Sequence, residues 1–129
     1  MQPKYNIWIE KEGNVVLSPW RVQLLEKIDE LGSISAAAAK LDLQYRRAWE
    51  RVHEIEQALG APVLITTVGG PHGGSARLTP LAREAIQRFR AFTDGLEAEI
   101  IRRYTAAYGE VPAGALRATK RRARAESKS

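Results

Sequence analysis

The stretch from Gly32 to Gly60, GSISAAAAKLDLQYRRAWERVHEIEQALG, constrains the fold of this chain more than any other part of the sequence. Ser33 is a suitable N-cap for the first of two helical patterns, Asp42-Leu43 separates them, and Gly60 ends the second. The small alanines of the first pattern let neighbouring helices approach closely, as a compact three-helix unit requires. The stretch therefore predicts two short helices joined by a tight turn.

The second of these helices is predicted from about Gln44 to Leu59 and has two contrasting faces. At roughly 100° per residue, one stripe is apolar, and we expect it to face the core. Trp49 lies in the middle of that stripe, so we predict a core residue whose truncation destabilises the fold by roughly 3–5 kcal/mol. The apolar stripe consists of Tyr45, Ala48, Trp49, Val52, Ile55 and Leu59. The residues expected to point away from it are Arg46, Arg47, Glu50 and Glu54.

Turn and cap signals place further elements ahead of these two helices. Apolar residues alternate with polar ones at positions 5–9, and the turn residues at 12–14 follow, which predicts an N-terminal β-hairpin. Ser18-Pro19 predicts the capped start of a first helix, and Gly32 ends it.

A second hairpin is predicted from Ala61 to Leu78, where the segment GGPHGG separates a β-branched strand from a short return strand. Thr79-Pro80 then opens a long helix whose apolar residues follow steps of three and four. Asp94-Gly95 is a candidate kink in that helix, because glycine costs about 1 kcal/mol relative to alanine.

This order of elements predicts a mainly helical α/β fold. We expect a winged helix-turn-helix with an N-terminal β-hairpin, a β-hairpin wing and a long C-terminal dimerisation helix. Residues 1–108 are assigned to the winged-helix domain, with the dimerisation helix at about 80–108, and residues 109–129 to a basic, disordered tail. A helix-turn-helix followed by a glycine-rich hairpin is typical of proteins that bind double-stranded DNA.

The positive charge is local. The net charge of +5 arises entirely from residues 117–129, which hold six of the 20 basic residues and one of the 15 acidic ones. Residues 1–116 balance, with 14 charges of each sign, so the folded part gives no bulk argument for nucleic-acid binding. Residues 57–83 contain no acidic residue but include Arg77 and Arg83. The tail would add salt-dependent DNA affinity or serve only as a solubilising segment.

Several classes of protein are disfavoured by the composition. The chain has no cysteine, no run of about 18 apolar residues and no apolar segment of a signal peptide near its start. We therefore expect a cytoplasmic protein without a membrane partner. His53 and His72 lie on different predicted elements and lack metal-ligand spacing. We accordingly expect no metal site, no cofactor and no enzymatic activity.

The outward-facing polar residues of the predicted third helix are the candidate DNA-binding residues. Gln44, Arg46 and Arg47 would contact bases or nearby phosphates, since arginine matches the two acceptors of guanine and glutamine pairs with adenine. The residues expected to fix the helix against the DNA backbone are Ser33, Ser35, Tyr45 and Arg51.

The same polar residues would also suit a solvated helix surface that binds nothing. Ion pairs such as Arg46–Glu50 and Arg47–Glu54 would then stabilise the helix. The helix alone leaves both interpretations open, and the order of the surrounding elements favours DNA binding.

The GGPHGG loop at residues 69–74 is predicted to be a wing that lies against the phosphate backbone. Most of its residues are glycines, so few side chains would keep its backbone N–H groups away from a phosphate. The GxxxxGK[ST] pattern of a nucleotide-binding loop is absent. A mobile hairpin tip is the alternative. The wing residues predicted to contact DNA are Gly70, His72, Gly73, Gly74 and Arg77.

Residues 18–92 resemble the N-terminal winged-helix domain of molybdate-responsive transcriptional regulators of the ModE type, which are related to the LysR-type headpiece. The resemblance rests on GSISAAA at 32–38, YRRAW at 45–49 and GGPHGGSARLTP at 69–80. It implies a homodimer that binds a palindromic operator, with the helix after the wing as the dimer interface.

The dimer is also expected from helix length. A helix of some 28 residues would be about 42 Å long, more than a domain of this size covers alone. Its apolar stripe would then need a second copy of the chain to shield it from water. The predicted dimer residues are Phe89, Phe92, Leu96, Ile100, Ile101 and Tyr104.

The sequence departs from the ModE pattern in two ways. Family members often have serine where Gln44 stands, so the third helix is expected to lack a good cap. The full-length regulators also carry C-terminal oxyanion-binding domains, for which this chain has no room, so molybdate binding rests on the resemblance alone.

Two alternative functions remain open. One is a winged-helix module that binds a protein partner and has lost DNA readout, an interpretation favoured by the balanced charge of residues 1–116. The other is a small regulator that binds an oxyanion at the dimer seam.

Overall fold

The computed structural model describes residues 1–68 and 74–109. Residues 7–91 form one compact unit, and residues 1–6 together with those from Phe92 onwards belong to a second. The elements in chain order are β1 (Ile9–Lys11), β2 (Asn14–Leu17), α1 (Pro19–Leu31), α2 (Ile34–Lys40), α3 (Tyr45–Leu59), β3 (Leu64–Thr67), β4 (Ser75–Leu78), α4 (Pro80–Thr93) and α5 (Leu96–Tyr108). The predicted order of hairpin, three helices, second hairpin and C-terminal helical region is confirmed.

The first hairpin is shorter than predicted. β1 begins only at Ile9, and β1 and β2 pair in antiparallel fashion around the two-residue turn Glu12-Gly13. Both turn residues have positive φ, 54° and 83°, which matches the twist that favours two-residue hairpins. A bulge between Ile9 and Glu10 interrupts the register. The alternating residues before Ile9 therefore do not extend the strand, because β2 ends at Leu17 and offers them no partner.

The helix boundaries agree with the cap residues identified in the sequence. The hydroxyl of Ser18 accepts a hydrogen bond from the N–H of Arg21 at 3.1 Å, and that of Ser33 accepts one from Ala36 at 3.0 Å. Gly32 has a φ of 81°, which a residue with a side chain rarely adopts. These local signals fix where α1 ends and α2 begins.

The base of the second hairpin is attached to α1 by hydrogen bonds. β3 and β4 pair in antiparallel fashion, and the N–H of Ala76 donates to the carbonyl of Gly32 at 2.7 Å. The carboxylate of Asp29 on α1 accepts from the N–H of Leu78 at 2.9 Å and from Arg83 at 3.0 Å. One acidic side chain thus joins α1, β4 and α4, which sets where the hairpin leaves the helical core.

The C-terminal helical region is two helices rather than one. α4 ends at Thr93, Gly95 has a φ of 75°, and α5 begins at Leu96. The candidate kink at Asp94-Gly95 is therefore a complete break, and the expected continuous helix of some 28 residues is wrong. A left-handed glycine ends the α-helical hydrogen-bond pattern because its φ lies outside the helical region.

Helix α5 contributes no buried residue. Residues 2–5 and three side chains of α5 line a shallow crevice of about 240 Å³ within the same unit. On the surface of α5, Arg102 and Arg103 hydrogen-bond to Glu99 and lower the pKa of that carboxyl group to about 2. The helix thus carries its own charge pairs but buries no apolar side chain.

We predict that Asp29→Ala lowers the free energy of unfolding by about 1–3 kcal/mol, because it leaves the partly buried N–H of Leu78 without its acceptor. Urea unfolding followed by circular dichroism would measure the loss. Glu30→Ala is the matched control: Glu30 is the next residue of α1, is exposed and pairs with Lys27 at 3.1 Å. An equal loss in both variants would contradict the role assigned to Asp29.

Candidate nucleic-acid interface

Helix α3 is anchored by one face and exposed on the other. Ala48, Val52 and Ile55 are buried in the core, and Leu59 packs against it. The apolar stripe predicted from the sequence is thus correct for these four residues. The predicted DNA-binding residues Gln44, Tyr45, Arg46 and Arg47 are all exposed at the start of the helix.

Trp49 is not a core residue, so its prediction is wrong. Its side chain is 46% exposed. Tyr45, one turn earlier, was assigned to the same apolar stripe and is 55% exposed, so that assignment is wrong as well. Ala48 occupies the inward position instead, and Trp49 lies about 100° further round the helix, on its flank. A helical stripe assigned from residue type alone placed this indole too far inward.

The exposed indole of Trp49 is stacked on another ring. The imidazole of His53, one turn later, lies with its centroid 4.7 Å from that of Trp49 and with its plane tilted by only 12°. This stacking was not predicted, although the two residues lie four positions apart on one helix.

Most cations of α3 are paired with carboxylates. Arg46 lies 3.8 Å from Glu50, and Arg51 lies 2.7 Å from Glu54. The predicted Arg47–Glu54 pair is not among the ion pairs of the described residues, since Glu54 binds Arg51 and Arg21. Seven positions separate residues 47 and 54, which is two turns and too far for a direct pair. Arg47 has no ion pair among residues 1–68 and 74–109.

Arg21 is a residue that sequence reasoning missed. Its guanidinium donates to the carbonyl of Val15 at 3.2 Å and to the carboxylate of Glu54 at 2.9 Å. It therefore ties β2 and α1 to the outer flank of α3. A second support is Glu56, which accepts a hydrogen bond from the N–H of Val63 at 2.9 Å and so joins α3 to the chain ahead of β3. Partners so distant in sequence leave no local pattern.

The N-termini of α2 and α3 differ in how they are capped. Ser33 caps α2, while Ser35 is exposed in its first turn. Gln44 occupies the N-cap position of α3 but makes no side-chain hydrogen bond there, as its departure from serine implied. The first backbone N–H groups of α3 are therefore not satisfied by a capping side chain.

The wing lies partly outside the described residues, which exclude 69–73 and with them the predicted contacts Gly70, His72 and Gly73. Gly74 is described, and a Cβ there would lie 2.5 Å from the carbonyl oxygen of Thr67, so the strands approach too closely for a side chain. Arg77 is exposed on β4. The roles assigned to these residues stay predictions.

The described part of the chain offers neither a metal site nor a membrane-spanning helix. It contains no group of three or more His, Asp or Glu residues that would hold a metal ion. Nor does it include a helix long and apolar enough to cross a membrane.

Residues 20–83 match the family described as bacterial regulatory helix-turn-helix protein, lysR family, a family of regulators rather than of enzymes. The structure is also similar to a solved CbnR_DBD-DNA complex, with a TM-score of 0.53 and 19% identity over 70% of this chain and 99% of that one. At that identity the likeness concerns the fold alone. The chain therefore carries a winged helix-turn-helix domain of the LysR type, and the predicted fold class is confirmed.

Two curated relatives show which regulators this domain is similar to. The chain is 42% identical over 76 residues to the molybdenum-pterin-binding protein MopB of Rhodobacter capsulatus, covering 59% of this chain and 28% of that protein. It is 31% identical over 83 residues to the molybdenum transport protein ModE of Azotobacter vinelandii, covering 64% and 31%. The resemblance to ModE-type regulators is thus confirmed, and the chain spans less than a third of the length of these two relatives.

We predict that Trp49→Ala lowers the free energy of unfolding by only about 1 kcal/mol, because much of the indole is already in water. Ile55→Ala, one of the fully buried side chains of α3, is the comparison and should cost about 2–5 kcal/mol. Thermal or urea unfolding of both variants would test this. A loss of 3 kcal/mol or more for Trp49→Ala would mean that the indole is buried after all.

Proposed function

We propose that this chain is a homodimeric transcriptional regulator that binds duplex DNA sequence-specifically, with α3 in the major groove. The observation that carries the proposal is the division of α3 into an apolar inner face and an exposed outer face with Arg46 and Arg47. A helix must be fixed to its own domain before its outer side chains can read bases accurately. Such a regulator would act in the cytoplasm, where bacterial DNA lies.

The ion pairs on α3 are compatible with this use. Arg46 has an 89% exposed side chain, so its pair with Glu50 is strongly screened by water. Exposed pairs of this kind contribute about 0–1 kcal/mol and are easily exchanged for contacts with phosphate or guanine. Arg47 needs no exchange at all, since it has no carboxylate partner among the described residues.

Other predicted contacts would hold the domain on the DNA backbone. Ser33 and Ser35 open α2, and helix N-termini favour phosphate groups. Arg51 would add a cation beside α3, although Glu54 neutralises part of its charge. Gly74 and Arg77 belong to the wing hairpin. We propose that this hairpin lies along the phosphate backbone.

A second copy of the chain would complete the proposed regulator. Phe92 is 53% exposed and Ile101 47% exposed, and α5 buries no residue of its own. Phe89, in contrast, is buried in the core of its own chain, so the dimer proposal no longer includes it. We propose that the remaining apolar residues pair across the dimer: Phe92, Leu96, Ile100, Ile101 and Tyr104. Two copies would favour an inverted repeat with half-sites about 34 Å apart.

The competing function is a winged-helix module that binds a protein partner. The pairing of Arg46 with Glu50 and of Arg51 with Glu54 favours it, because both pairs reduce the positive potential of α3. It predicts no salt-dependent binding to any DNA. DNA binding, in contrast, weakens steeply as the salt concentration rises, because the release of counterions from the DNA then gains less free energy.

We predict that the double variant Arg46→Ala, Arg47→Ala folds normally and loses operator affinity. Loss of a base-reading arginine costs about 1–3 kcal/mol, which corresponds to roughly 5–150-fold in Kd. The operator would first be selected from random duplexes with the purified protein, and Kd would then be measured by fluorescence anisotropy at several salt concentrations.

The matched control for that variant is Lys27→Ala, Arg88→Ala. It removes the same charge from α1 and α4, where each residue pairs with a glutamate on its own helix. Its Kd should stay near that of the unaltered protein. Equal losses in the two double variants would show that net charge, and not α3, determines affinity.

We predict that Ile101→Glu dissociates the dimer, because a charge on the apolar side of α5 would be buried without a partner. Sedimentation velocity at micromolar concentration would measure the change. Ala106→Glu is the control, since position 106 lies opposite the apolar side on a helical projection. A monomeric unaltered protein would overturn the dimer proposal directly.

A further inference from the structure

The flank of α3 carries an exposed aromatic pair, Trp49 and His53. Trp49 is the larger member, and about half of its indole is in contact with water. The core does not need it, because Ala48, Val52 and Ile55 fill the inward positions of the helix. A large apolar ring kept partly exposed on the flank of α3 is therefore a candidate contact for a ligand.

The indole is held in place before any ligand arrives. His53 stacks on it at 4.7 Å, and the Nδ1 atom of His53 lies 3.8 Å from the carboxylate of Glu56. Glu56 is itself fixed by the N–H of Val63 at 2.9 Å. This series of contacts links the exposed ring to the ordered chain before β3, so the ring loses little conformational entropy on binding.

Both rings line a cleft of about 650 Å³ with charged residues of both signs, among them Glu12, Glu50 and Arg21. The charge around the pair therefore does not select the occupant. The proposed DNA binding does, because Arg46 lies three positions before Trp49 and would bring the duplex to this side of the helix. In the major groove of duplex DNA, the C5-methyl of thymine is the apolar group on the base edges, and it lies between the two phosphate backbones.

We infer that Trp49 contacts the C5-methyl group of a thymine in each half-site and so determines part of the sequence specificity. The inference rests on the proposed DNA binding. It goes further by naming the base that Trp49 contacts. His53 is a positioning residue, because it acts by holding the indole. The contact is apolar and needs no hydrogen bond from either ring.

The test uses deoxyuridine, which differs from thymidine only by the absent methyl group. Each thymine of the selected operator is replaced in turn, and Kd is measured for the full chain. At one position per half-site, the unaltered protein should bind the deoxyuridine duplex about fourfold more weakly, the effect expected for exposing one methyl group. Trp49→Ala should bind the thymine operator more weakly and bind both duplexes equally at that position.

Two further variants separate the contact from general effects. Trp8→Ala removes another partly exposed indole, one that hydrogen-bonds to Glu10 at 2.7 Å, and should keep the full preference for thymine. His53→Ala should reduce the preference while leaving the melting temperature of the protein nearly unchanged. A His53→Phe variant should restore it, because a phenyl ring can stack on the indole as well.

The outcomes distinguish this inference from the proposed function. If the unaltered protein binds its operator but no thymine-to-deoxyuridine change alters Kd, the methyl contact is wrong and DNA binding stands. The same conclusion follows if Trp49→Ala keeps the preference. If no duplex is enriched by the unaltered protein at low salt, both the DNA-binding proposal and the methyl contact are wrong.

Discussion

The burial of the inner face of α3 is the interaction on which the rest of the interface depends. Ala37, Ala38 and Ala48 have almost no exposed surface, so α2 and α3 share a core of small side chains. Such residues let the helices pack closely and leave little room for α3 to rotate. Rotation by one residue would bring Trp49 into the core in place of Ala48 and would turn Arg46 away from the outer face. The rotation of α3 about its own axis therefore determines which side chains a partner can contact.

The order of the elements could be predicted from the sequence, because caps, turns and periodicity are local signals. Ser18 and Ser33 cap helices where expected, and glycines 32 and 60 end them in the left-handed region. The contacts of Arg21 and Asp29 could not be predicted in this way. They join residues 33 and 49 positions apart, and such pairings depend on how the helices pack rather than on spacing.

The candidate site was predictable only in part. Exposed arginines on α3 follow from helical periodicity, but Trp49 was misplaced because hydrophobicity alone does not decide which of two adjacent apolar residues faces inward. Ala48 fits where an indole would require the neighbouring helix to move away. The exposed indole is thus a consequence of close packing on the other side of the same helix.

The glycine break before α5 has a consequence for the energetics of folding. A helix of 13 residues that buries no side chain has little to offset the loss of chain entropy, so it is marginal on its own. Its amide hydrogens should then exchange with solvent far sooner than those of α1, which contains Leu24 and Ile28 in the core. Association of two chains would slow that exchange in α5 selectively. Ordering of this helix and self-association would then be a single concentration-dependent equilibrium.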